Sequence, residues 1–369
     1  MKKINICSIG EPTNPRTWSG TPYSLYIELK KIDRIGSAFN SSATLSKLKK
    51  IAVKLLARAY YSNSVETQRG IFNRYLNAKK VVRETNKSNT NLTLHTGTLD
   101  LPFPKMPHNQ KHYLYCDSTW NLWSTYSTYM KGYTKKLIRD GEKLERESYR
   151  QMEHIFSISE YVKDNLVNHY GVSPDKVTVV GTGLGVIKPY FGPKDYSNNQ
   201  ILFVAKNRFE DKGGPLVLEA FKIAVERNPN LKLMIIGQNE YTEKINLPNV
   251  KTFGYIPIED LQNLFNESSL FLMPAINEAW GLVYLEALAA RMPIVGLNRY
   301  SFPEISGNGA YGFGLNDADP VKLSEILINA FSDSGKLEEM GTKGQEHCLN
   351  NFTWSNAVSK IVNTIDQKI

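Results

Sequence analysis

Cysteine is scarce: the 369-residue chain holds three, at 7, 116 and 348. An odd number, widely spaced, argues against a disulfide framework and against a structural zinc site. It predicts a reducing, cytoplasmic compartment. Long apolar runs are missing too; none approaches the roughly 20 residues that span a bilayer. The stretch Met1–Gly10 is basic, but its apolar part is too short and too polar for a signal peptide, so it reads as a buried strand. There is no low-complexity segment and no short-period repeat. What remains is an ordinary globular composition, 41% hydrophobic and 22% charged, which excludes a disordered chain. A single core stops growing at roughly 250–300 residues, so two domains are expected.

Acidic charge is sparse in one half only. Residues 1–196 carry 30 Lys and Arg against 16 Asp and Glu, whereas residues 197–369 carry 15 against 20. The densest stretch, 30–87, has 14 basic and 3 acidic side chains. Halves of opposite sign suggest domains with different partners, a basic one attracting phosphates, anionic lipid headgroups or nucleic acid.

Strand-like apolar runs alternate with helical ones, which marks α/β units around parallel sheets. In the first half strands are expected at 4–9, 92–95, 113–116, 154–157 and 176–180, with helices at 21–35, 137–153 and 160–170. A Pro- and Gly-containing segment, 186–199, reads as a linker. The second half then runs regularly: strands at 200–205, 231–236, 250–254, 270–273 and 293–296, and helices at 215–227, 258–266, 281–291 and 320–331. The expected domains are thus 1–185 and 200–353, each doubly wound. Ligands in such sheets bind at the carboxyl ends of strands.

Two loops at strand ends carry the chemistry. In Pro274-Ala275-Ile276-Asn277-Glu278-Ala279-Trp280-Gly281-Leu282-Val283-Tyr284-Leu285-Glu286 a helix starts near Gly281. Its free N–H groups and positive dipole end form an anion site. Glu286 sits in an otherwise apolar helix, and a buried carboxylate needs a hydrogen-bonding partner; a ribose diol would serve. The bland alternative is two acidic residues favoured by the helix dipole. In Lys206-Asn207-Arg208-Phe209-Glu210-Asp211-Lys212-Gly213-Gly214-Pro215 two cations precede a second helix, suited to clamp phosphate. The bland alternative is a solvated turn with Glu210 and Asp211 as ion-pair partners.

Together these residues resemble the retaining glycosyltransferases of family 4, the glycogen-synthase-like group of GT-B fold. Glu278 and Glu286, with Gly281-Leu282 between them, match that family's principal motif, and Arg208 and Lys212 match its diphosphate-binding pair. Phe253-Gly254-Tyr255-Ile256-Pro257, Ile155–Glu160 and Tyr170-Gly171-Val172 also fit. The likeness is specific over 150–360 and weak before it, where Ser19-Gly20-Thr21-Pro22 stands in place of a glycine loop. Trp280, Arg291 and Thr182-Gly183-Leu184-Gly185 depart from the pattern.

The resemblance implies two Rossmann-like domains facing a central cleft, with the last helix, 354–369, crossing back to the first domain. It implies retaining sugar transfer from a nucleotide-diphosphate sugar to a glycan or lipid-linked acceptor, in bacterial surface polysaccharide or glycoconjugate synthesis. No cofactor, metal or nucleic acid partner is called for, and a UDP-sugar is ranked ahead of a GDP-sugar. Arg208, Lys212, Glu278 and Asp117 are the expected catalytic residues. Gly20, Arg208, Lys212, Tyr255, Ile256, Glu278, Gly281, Leu282, Val283 and Glu286 are expected to bind the donor. Asp117, and more weakly His95, are acceptor-side candidates at strand ends; otherwise Asp117 caps its turn. The alternatives are a nucleotide-sugar epimerase or phosphorylase on the same fold, or a non-catalytic sugar-nucleotide-binding protein.

Other features read as structural. Gly181, Gly183 and Gly185 have the wrong spacing for a dinucleotide loop. Asp319 before Pro320 reads as a helix cap. His108 and His112 have helical spacing but no carboxylate neighbour, which argues against a metal. In 46–61, Leu48, Ile51, Ala52, Leu55, Leu56 and Ala59 share one helical face, and Lys47, Lys50, Lys54 and Arg58 another. Such a helix either packs its apolar face on the first sheet or lies on an anionic membrane as a peripheral anchor.

Overall fold

The computed structural model describes residues 2–62, 69–107, 109–126, 130, 132–237 and 245–368. His108 lies outside them. The chain divides into two compact units, Met1–Gly183 with Trp354–Ile369, and Leu184–Thr353.

The first unit is built on strands β1 (Ile4–Ser8), β2 (Ile35–Asn40), β3 (Leu92–Thr96), β4 (Lys111–Cys116), β5 (His154–Ser157) and β6 (Val177–Val179). They pair in parallel in the order β2-β1-β3-β4-β5-β6. β1 and β3 are buried at every position, as strands covered on both faces must be. The helix expected to reach residue 35 stops at Lys31. Asp33 turns the chain with φ +55, and Ile35 begins a half-exposed edge strand that carries no apolar run.

The second unit holds β7 (Gln200–Lys206), β8 (Lys232–Gly237), β9 (Val250–Phe253), β10 (Leu270–Leu272), β11 (Ile294–Leu297) and β12 (Gly312–Leu315). Their order is β12-β11-β10-β7-β8-β9, again parallel. The strand order reverses between β1 and β3 in one sheet and between β7 and β10 in the other. Those switch points are where doubly wound sheets open a crevice for ligands.

Segment 186–199, expected as a linker, has no helix or strand but is docked on the second unit. Ile187 and Tyr196 are buried, and Tyr196 Oη donates to Arg291 O at 2.7 Å. Lys194 Nζ donates to the last carbonyls of the helix Ile258–Glu267, and burial, then Arg291, pulls its pKa down to about 7. The glycines before it are spacers: a Cβ on Gly183 would stand 2.3 Å from Trp354, and one on Gly185 2.3 Å from Glu286 Oε1.

The helix Trp354–Gln367 buries Ala357, Val358, Ile361, Val362 and Ile365, one apolar stripe, and packs on the helix Thr21–Lys31. Arg34, fully buried, grips Asp366 through two hydrogen bonds of 2.8 and 2.7 Å. Asp319 does cap the helix Pro320–Ala330, accepting from Val321 and Lys322 N–H.

The basic helix runs from Lys47 to Tyr61 with Ser46 as its cap. Of the two alternatives for it, packing of the Leu48–Ile51–Leu55 face on the first sheet is not found. Ala57 and Tyr61 are the residues buried, against Leu137, Phe72 and Tyr133. Leu48, Ile51 and Leu55 are 80%, 55% and 61% exposed. His112, given helical spacing from the sequence, lies instead on β4, buried in the sheet.

Candidate active site

β7 and β10 are neighbours, with Ile201 opposite Leu270 and Leu202 opposite Phe271. The loops that leave their carboxyl ends are therefore forced together at the switch point. Gly213 (φ +83) is the contact that lets them close: a Cβ there would lie 2.2 Å from Pro274 O. Asp211 O then accepts from Ile276 N–H at 2.8 Å and from Asn277 N–H at 3.2 Å.

This junction places Arg208, Lys212 and Glu278 in one group. Lys212 Nζ bonds directly to Glu278 Oε2. Arg208 donates to Asp211 Oδ2 at 3.1 Å and to Asn277 O at 2.9 Å, and its Nη1 stands 3.7 Å from Glu278 Oε2. Burial by itself would raise the pKa of Glu278. Lys212, Arg208 and the Gly281 N–H more than offset it, so the carboxylate is held below its ordinary range. Both cations are already paired: Asp211, named in the alternative reading of this turn, holds Arg208, and Glu278 from the neighbouring loop holds Lys212. An incoming anion has to share or displace those partners.

Gly281 (φ +80) caps the helix Leu282–Ala289. A side chain at that position would strike the Tyr284 ring at 2.7 Å. Leu282 and Val283 open the helix, so their N–H groups lie in its unpaired first turn. Glu286 is buried inside the same helix. Its Oε1 accepts from Val186 N–H at 2.6 Å and Ile187 N–H at 3.1 Å. Burial raises its pKa, and those two N–H groups only partly offset the rise. The chain itself thus answers part of the need first assigned to a ribose. Only Oε1 takes those two bonds, and no bond to Oε2 is found among the described residues. Tyr255 is exposed and Ile256 partly buried in the loop after β9.

Two family models match in tandem: "Glycosyltransferase Family 4" over residues 93–185 and "Glycosyl transferases group 1" over residues 191–347. The chain belongs to the family 4 glycosyltransferases. Among curated proteins it is 26% identical over 226 residues to D-inositol 3-phosphate glycosyltransferase of Corynebacterium diphtheriae, covering 54% of this chain and 52% of that one. It is 24% identical over 220 residues to the capsular polysaccharide biosynthesis glycosyltransferase CapM of Staphylococcus aureus, covering 54% and 57%. The chain thus spans about half the length of these relatives. Among solved structures, Anabaena HepE in complex with UDP superposes with a TM-score of 0.66 at 14% identity, over 99% of this chain and 100% of that one. The family's two-domain GT-B fold is therefore the fold of this chain.

In this family 4 chain the remaining expected residues belong to the first unit. Gly20 (φ +87) caps the helix Thr21–Lys31 behind a turn in which Trp18 and Ser19 also have positive φ. Trp18 lies over Gly97, where a Cβ would meet its ring at 2.9 Å. Asp117 follows β4, partly buried. Desolvation raises its pKa, and its own and the Ser118 N–H groups and Arg69 work against the rise. His95 is fully buried on β3, hydrogen-bonded to Asp100, Cys7 and His112. It is not at a surface an acceptor reaches, so its acceptor-side role is withdrawn. Sequence reasoning missed Asp100, whose place in that cluster is visible only from strand register.

Proposed function

We propose that this protein transfers a sugar, with retention of anomeric configuration, from a nucleotide-diphosphate sugar to a glycan or lipid-linked acceptor in bacterial glycoconjugate synthesis. The observation that carries the reading is the Arg208–Lys212–Glu278 group against the Gly281 helix start, at a switch point. As the glycosidic bond breaks, negative charge gathers on the leaving diphosphate. Donors fixed beforehand stabilise that charge without reorganising. Glu278 passes from Lys212 to the donor sugar's hydroxyls, which frees the Lys212 ammonium for phosphate oxygen. Arg208 stays tethered to Asn277 O while it contacts the same group. Oε2 of Glu286 accepts from a ribose hydroxyl while Oε1 holds the 186–187 backbone. The leaving phosphate oxygen takes the acceptor's proton, so no second carboxylate is required. A UDP-sugar is the donor proposed first. The HepE structure that matches this fold contains UDP.

The acceptor is assigned to the basic first unit, with Asp117 as its contact. The helix Lys47–Tyr61 supports a lipid-linked acceptor, because it offers exposed leucines together with Lys47, Lys50, Lys54 and Arg58. No helix among the described residues is long and apolar enough to cross a membrane. The test is donor hydrolysis and transfer over a panel of UDP- and GDP-sugars, with the product's anomeric configuration read by NMR. Turnover of one or a few donors with retained configuration is expected. Inversion, or binding without turnover for every donor, overturns the proposal.

A further inference from the structure

Cys7 and His95 are direct cross-strand partners on β1 and β3, at the switch point of the first sheet. The loop after β3 returns Asp100 to the same place. Cys7 Sγ lies 3.3 Å from His95 Nδ1 and 3.5 Å from Asp100 Oδ2, and His95 Nδ1 lies 3.1 Å from Asp100 Oδ1. All three side chains are buried. We propose that Cys7, His95 and Asp100 form a binding site for one zinc-type divalent ion that ties β1, β3 and the 97–101 loop together.

The spacing fits. Ligands bonded to zinc at about 2.0–2.3 Å lie roughly 3.3–3.7 Å apart in a tetrahedral site. Thiolate, imidazole and carboxylate are a donor set that suits zinc. The outer shell fits as well. His95 Nε2 lies 3.0 Å from His112 Nδ1, so an imidazole ligating through Nδ1 has its other nitrogen fixed, as metal-bound histidines do. The Phe103 ring packs on both imidazoles, with centroids 5.9 and 4.5 Å away. His112 Nε2 has no hydrogen-bond partner.

Charge points the same way. Arg74 is the buried cation nearby, and it is committed to Glu145 at 3.3 Å. Among the described residues no Arg or Lys forms an ion pair with Asp100, and Arg74 acts on it only at longer range. A divalent ion with a Cys7 thiolate and the Asp100 carboxylate sums to zero, the arrangement a buried site requires. The competing account is a metal-free trio in which Cys7 stays a thiol, held there by burial and by Asp100, donates to Asp100 Oδ2, and leaves His95 hydrogen-bonded to Asp100 Oδ1.

The test uses the whole chain, purified without chelator from zinc-supplemented cells. Elemental analysis after gel filtration should find about one zinc per chain, falling at least tenfold in Cys7→Ser and Asp100→Asn. Unfolding the parent and refolding it with cobalt should produce a thiolate-to-cobalt charge-transfer band, absent from Cys7→Ser. If a variant fails to fold, the parent's cobalt spectrum decides alone. A parent holding less than about a tenth of an equivalent, with no thiolate band, overturns the proposal in favour of the hydrogen-bonded trio. Zinc retained unchanged by Cys7→Ser overturns it as well.

Discussion

Gly213→Ala is the most informative single substitution. The new methyl group would stand 2.2 Å from Pro274 O and 3.0 Å from the Pro274 ring, so the backbone has to move or strain. Holding an alanine at φ +83 costs about 1–2 kcal/mol. Forcing a methyl group into a packed contact adds roughly 1–3 kcal/mol. If the loops stay closed, the second unit loses about 2–5 kcal/mol, and its Tm falls by roughly 4–20 °C for a domain of this size. If the loops part, stability is spared but the Asp211 bonds to Ile276 and Asn277 break, and Lys212 withdraws from Glu278. Donor affinity then falls instead. Scanning calorimetry and donor titration of the same preparation separate the two routes. Gly335→Ala is the control: it sits in a helix with φ negative and only Asp333 Oδ1 at 3.4 Å, and is expected to gain about 0.5–1 kcal/mol. A Gly213→Ala protein with unchanged Tm and unchanged donor affinity would refute the idea that this contact assembles the site.

Glu286→Ala should weaken nucleotide-sugar binding by roughly 1–3 kcal/mol and also lower Tm, since it strands the Val186 and Ile187 N–H groups; calorimetry that finds affinity unchanged removes the ribose assignment. Lys212→Ala and Arg208→Ala should reduce kcat more than they reduce stability, and a chelator confined to the assay mixture should leave transfer intact, whereas loss restored by magnesium or manganese argues for a metal on the diphosphate. Reversing charge at Lys47, Lys50, Lys54 and Arg58 together should abolish binding to anionic liposomes, each cation being worth about 1 kcal/mol near such a surface, while donor hydrolysis persists; a parent that never binds such liposomes at low salt ends the membrane reading. The Arg34 hydrogen bonds hold Asp366 below its ordinary 3.8. Its contribution is therefore complete above that value and is lost as pH falls below it; in Asp366→Asn, amide exchange in 354–367 should be faster at neutral pH and lose this acid dependence.

Much of the second unit was legible because β7, β8, β10 and β11 are short apolar runs that end in polar loops, and the helices Gly214–Arg227, Ile258–Glu267, Leu282–Ala289 and Pro320–Ala330 begin at or just after Gly or Pro. The first unit was harder. β2 is an edge strand whose residues, Ile35-Gly-Ser-Ala-Phe-Asn40, are only half buried and carry no alternation. In the second unit β12, which contains two glycines, was passed over as well. The helices Ile71–Thr85 in the first unit and Ser334–Asn351 in the second are largely polar, with buried positions taken by Arg74, Asn77, Gly341, Gly344 and Gln345. Propensity arguments pass over such residues. In the site, residue types and spacing pointed to Arg208, Lys212, Glu278 and Glu286 as a set. Their pairing was not legible, because it depends on which loops a neighbouring strand delivers. The same holds for Cys7, His95 and Asp100, where two partners 88 positions apart meet through register alone.

The return of 354–367 to the first unit has a consequence for synthesis. The second unit interrupts the first, so it emerges whole from the ribosome before the first has its last helix. Until then the helix Thr21–Lys31 lacks its apolar cover, and Arg34 lacks its Asp366 partner. Domains otherwise tend to fold from the amino end; here the amino-terminal unit is the one that has to wait, leaving an apolar, half-finished surface uncovered for as long as 184–353 takes to translate.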